Sequence, residues 1–92
     1  MTQHYVVGQF SALLGEVEAA AVEWQDSVRR LRLQVEASSL SLLPALAEQA
    51  LSLTDAICWA ALEQGDVTRF RSSATSAADL AEFLDCAGLL RQ

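Results

Sequence analysis

The chain has 92 residues, a formal charge of −6 and a composition that is 52% hydrophobic, with one Pro and four Gly. That size holds one domain, and so apolar a composition excludes disorder and collagen-like repeats. The acidic balance argues against nucleic acid as a partner, because a nucleic-acid binder needs a basic face to displace counterions from phosphates.

The first predicted element rests on an apolar stripe, Val7, Phe10, Leu14, Val17, Ala21, Trp24, Val28, Leu31 and Val35, stepping alternately by three and four. That spacing is one continuous face of a helix, with a coiled-coil-like heptad. It predicts a long helix over about 4–37. Gly8 and Gly15 weaken its first third, and a bend is expected near Gly15 if the helix bends at all. The charges lie off the stripe. Asp26 has helical spacing to Arg29 and Arg30, and Glu36 to Arg32, which reads as a solvated, partly paired face.

Ser38-Ser39-Leu40-Ser41 breaks the pattern, and Pro44 suits a first helical turn. A second helix is therefore predicted over about 42–64. It carries Leu43, Leu46, Ala50, Leu53, Ile57 and Ala60 on one seam, with Leu51, Trp59 and Leu62 beside it. A helix this apolar around its circumference is expected to be central or covered by another chain. Gly65 suits a helix end and Asp66 the next N-cap, so a tight turn leads into a third helix over about 66–87. Its predicted seam is Val67, Phe70, Ala74, Ala77, Ala81 and Leu84.

The expected fold is all-α, a single domain over 1–92 forming an antiparallel three-helix bundle with a long first helix. The lengths do not match, since the first helix would span roughly 50 Å and the others about 33 Å each. The overhanging stripe is resolved by a fold-back near Gly15, by a homodimer or by a different partner, and the heptad favours the homodimer. Interface candidates are Phe10, Leu14, Val17, Trp24, Leu31, Leu51, Trp59 and Leu62. Trp59 is read two ways, as covered by the third helix or as an exposed binding hot spot.

Chemistry is weakly signalled. His4, the only histidine, sits at the chain start without a rigid setting for acid–base work. Asp79, Glu82 and Asp85 line up at i, i+3 and i+6, yet a cation site needs ligands from several elements. The serines lack an activating base, and Arg69 with Arg71 matches no phosphate loop. No catalytic residue, metal or cofactor is expected, and the chain is not expected to be an enzyme. Cys58 and Cys86 lack metal or redox spacing and read as reduced thiols, which makes the cytoplasm the expected compartment. The start has no basic n-region, and charges interrupt every long apolar window, so neither a signal peptide nor a membrane partner is expected. All six basic residues are Arg, in keeping with a GC-rich bacterial genome.

In size and helicity the chain resembles the secreted helical hairpins of bacterial type VII export systems. Their Trp-x-Gly turn is absent, since Trp24 precedes Gln25-Asp26 and Trp59 precedes Ala60-Ala61; Tyr5 is followed four residues on by Gln9 instead of an acid. No family is assigned. The function expected is a small helical protein–protein interaction module, a scaffold or regulator that acts through apolar helix faces. The alternatives are a bundle that binds a small apolar ligand and a type VII-like secreted protein.

Overall fold

The computed structural model describes residues 2–90, with side chains from Tyr5 onward, so His4 lies outside the described side chains. Four helices follow one another, α1 (Thr2–Ala20), α2 (Gln25–Ala37), α3 (Leu43–Glu63) and α4 (Val67–Cys86), and there is no strand among the described residues. The long first helix expected over 4–37 is therefore corrected to two. The break falls at Ala21–Trp24, not at Gly15. Ala21 leaves the helical region (φ −123°, ψ 75°), and Val22–Trp24 form a single 3-10 turn whose Trp24 amide donates to the Ala21 carbonyl at 2.9 Å.

No Gly or Pro marks this break, so its cause lies in packing. Val28 and Val35 are fully buried and Leu31 is buried, a gain of roughly 1.5–3 kcal/mol for each side chain taken from water. Breaking a helix costs a few backbone hydrogen bonds at about 1 kcal/mol net each. Folding back wins. The molecule accordingly measures 42 × 26 × 17 Å, too short for the roughly 50 Å of an unbroken first helix.

Ser11 contacts Glu36, and Glu18 contacts Arg29 and Arg32, so contacts move outward symmetrically from the turn and α1 and α2 form an antiparallel hairpin. The Glu23–Arg69 ion pair then ties that turn to the start of α4. Because the α1–α2 and α3–α4 turns lie at the same end, the helices run alternately up and down. α1 packs on α2 and α4, α3 packs on α4, and α2 meets α3 more lightly.

The predicted stripe is entirely accounted for within the chain. Phe10, Leu14, Val17, Ala21, Val28, Leu31 and Val35 are buried, and Val7 and Trp24 pack against them. From α3 the core receives Leu43, Leu46, Ala47, Ala50 and Ile57. The seam expected on α4 holds at Leu84 and is corrected from Val67 to Ala77, where the helix is rotated. Ser73, Leu80 and Leu84 are its buried residues, whereas Phe70, Ala74 and Ala77 are only partly covered.

The turn chemistry is local and readable. Gly65 and Gly88 adopt φ +73° and +74°, which only glycine occupies without cost. At each, the following amide reaches back into the helix, Asp66 to the Ala61 carbonyl at 3.1 Å and Leu89 to that of Leu84 at 2.9 Å. These are helix-terminating motifs that satisfy otherwise orphaned carbonyls. Asp66 also caps α4, accepting from the Arg69 amide at 3.0 Å. Between α2 and α3, Ser38 donates to the Val35 carbonyl, a 3-10 turn covers Leu40–Leu42, and Pro44 sits in the first turn of α3.

Candidate functional site

Two features stand out once the core is set aside, a polar clamp inside the first hairpin and an apolar groove outside the second. The clamp centres on Glu18, whose side chain is only 14% exposed. Arg29 donates to it through Nε at 3.2 Å and Nη2 at 3.0 Å, and Arg32 through Nη1 at 3.4 Å. Arg32 Nε donates to Ser11 Oγ at 3.1 Å, and Ser11 in turn donates to Glu36 at 2.5 Å. A Cβ on Gly15 would meet the Arg32 guanidinium at 3.3 Å. Gly15 thus gives the arginine its passage between helices. The helical pairs read from spacing are present but looser, Arg32–Glu36 at 3.7 Å and Arg29–Asp26 at 3.9 Å. Every charge in the clamp is matched, which suits a structural staple.

The groove runs along the outer side of α3 and α4 and has a volume of about 340 Å³. α3 contributes Asp55, Cys58, Trp59 and Leu62, and α4 contributes Phe70, Ala74 and Ala77. Trp59 and Leu62 lie three residues apart and so share one face. They are 59% and 48% exposed, and Val67 at the start of α4 is 58% exposed. Large side chains this open are informative when they cluster, because a contiguous apolar patch marks a surface prepared for contact. Their neighbour Cys58 has its thiol pushed above the ordinary value, first by burial and then by the Asp55 charge, which keeps it in the less reactive thiol form.

The interface candidates thus divide. Phe10, Leu14, Val17 and Leu31 are buried by the chain itself and belong to its core. Trp24 and Leu51 are partly buried against that core. Trp59 and Leu62 are brought together and remain open. Of the two readings of Trp59, the exposed one describes its position; α4 lies beside it without covering it. Phe70, Ala74 and Ala77, expected on the inward seam of α4, line the groove instead, because Ser73 and Leu80 join Leu84 on the buried face.

A second groove of about 370 Å³ lies between α2 and α3 beside the exposed Leu42. It contains no aromatic side chain. Between the two turns, Trp24, Ile57 and Ser73 border a space of only about 10 Å³, enough for roughly one water molecule. The Ser73 hydroxyl there is buried with no hydrogen-bond partner among the described residues. Among the described residues no group of three or more His, Cys, Asp or Glu is placed to hold a metal ion, and no helix is long and apolar enough to cross a membrane. No family model, curated protein or solved structure matches the chain.

Proposed function

We propose that this chain is a protein–protein interaction module, a scaffold or regulator without a catalytic step, whose docking surface is the outer face of the α3–α4 hairpin around Trp59 and Leu62. The observation that carries the reading is the exposure of Trp59, at 59%, over an apolar groove. Large aromatics seated in apolar surroundings supply a disproportionate share of binding energy at interfaces. The first hairpin supports the reading by closing the core, which leaves α3 as a rigid platform for the exposed side chains.

The apolar-ligand alternative has less support. A small-molecule site ordinarily encloses its ligand in a concave pocket of about 300 Å³ or more; the α3–α4 groove has that volume but is a surface cleft in which Trp59 and Leu62 stay about half exposed, and the space enclosed between the turns is about 10 Å³. The stripe that would overhang a long first helix is packed within the chain, so it gives no support to a homodimer.

The test compares proteins crosslinked to the wild-type chain in cells that produce it with those crosslinked to Trp59→Ala and to Leu33→Ser. Leu33 is 58% exposed on α2, away from the groove. Recovery of a partner is expected to fall about tenfold or more for Trp59→Ala and to persist for Leu33→Ser, with circular dichroism unchanged in both. Equal recovery with all three chains would remove the groove from the account.

A further inference from the structure

We infer that the partner segment docking in the α3–α4 groove is a cationic amphipathic helix, an apolar ridge flanked by Lys or Arg, and not a second copy of this chain. The inference rests on the reading of the Trp59 face as a docking surface and goes on to the chemistry of the occupant. Asp55 and Glu63 stand four residues before and after Trp59, which places one carboxylate a turn above and one a turn below it on the same side of α3. Asp55 lines the groove, and both residues are exposed. Neither makes an ion pair with a described residue. α3 carries no basic residue anywhere along its length.

An apolar cleft with acids at both ends of its aromatic anchor is complementary to a helix that presents an apolar side chain between two cations. The same charges disfavour self-pairing. Two α3 faces apposed about Trp59 bring Asp55 and Glu63 against each other or against their own copies, and either arrangement sets like charges together. On α4, Arg69 is engaged with Glu23, so Arg71 is the one cation left on the hairpin to offset that repulsion.

The test uses a dye-labelled 18-residue amphipathic helix of Leu and Lys and its Leu and Glu counterpart, titrated with the full chain and read by fluorescence anisotropy. Only the Leu/Lys peptide is expected to bind, and more weakly as salt rises. Asp55→Asn with Glu63→Gln should weaken it about threefold to tenfold. Glu16→Gln with Asp26→Asn, an equal change in net charge on the other hairpin, should leave it within about twofold. Equal losses from the two double variants would reduce the effect to bulk attraction by an acidic protein and overturn the inference. The docking face would still stand if Trp59→Ala weakened binding about tenfold or more; no effect of Trp59→Ala would sink both. Light scattering covers the remaining occupant, since a dimer abolished by Trp59→Ala would assign the groove to a second copy.

Discussion

Leu31→Asp is expected to unfold the protein or to leave it with a small fraction of its stability. Leu31 is 6% exposed and lies on α2 within the core cluster. The substitution removes a buried leucine side chain and puts a carboxylate in its place, two penalties that together exceed about 4 kcal/mol. A chain of this size holds roughly 5–14 kcal/mol in total. Each kcal/mol lost lowers the melting temperature by about 4–8 °C, so a drop of about 20 °C or complete loss of the cooperative transition is expected by circular dichroism. Glu23→Ala is the paired control. It removes a surface partner of Arg69, worth about 1 kcal/mol or less. Equal tolerance of both would mean that the stripe is not buried.

Glu18→Ala is expected to cost about 1–3 kcal/mol, the largest effect of any charged position on α1. Its carboxylate accepts from Arg29 and Arg32 across the hairpin, and its removal leaves Arg32 with Ser11 and the more distant Glu36. Glu16 is exposed and has no such role, so Glu16→Ala should stay within about 0.5 kcal/mol of wild type. Urea titration of the three chains measures the difference. If Glu18→Ala and Glu16→Ala behaved alike, the clamp would be a surface decoration and the hairpin would depend on apolar contact alone.

The helical class and the turn at Gly65–Asp66 were legible because they depend on local chemistry, namely apolar periodicity, a glycine at positive φ and an aspartate N-cap. The break at Ala21–Trp24 was not. An apolar stripe has the same period whether it lies on one helix or on two arms folded against each other, and the turn here is short enough to leave the heptad phase unbroken from Val17 to Val28. Gly15, a flexible point by composition, lies within a continuous helix and makes room for Arg32. Glu18 as the partner of two arginines was equally hidden, because spacing along a helix shows only neighbours three or four residues away. Within the candidate site, Trp59 and Leu62 were legible as an apolar pair beyond the main seam of α3. Their exposure depended on the rotation of α4, which small residues such as Ala74 and Ala77 do not encode strongly.

Everything assigned to the outer face of α3 assumes that α1 and α2 use up the stripe between them, and one distance tests that most directly. Paramagnetic labels placed on cysteines at the exposed positions Ala12 and Ala37, in a Cys58→Ser, Cys86→Ser background diluted with unlabelled protein, report it within single chains. The folded-back hairpin puts the labels on adjacent helices whose axes are about 10 Å apart, so a separation under about 20 Å is expected, unchanged by dilution. A separation near 37 Å, the length of 25 residues of unbroken helix, or a short distance lost on dilution, would contradict the fold-back and return the stripe to a partner.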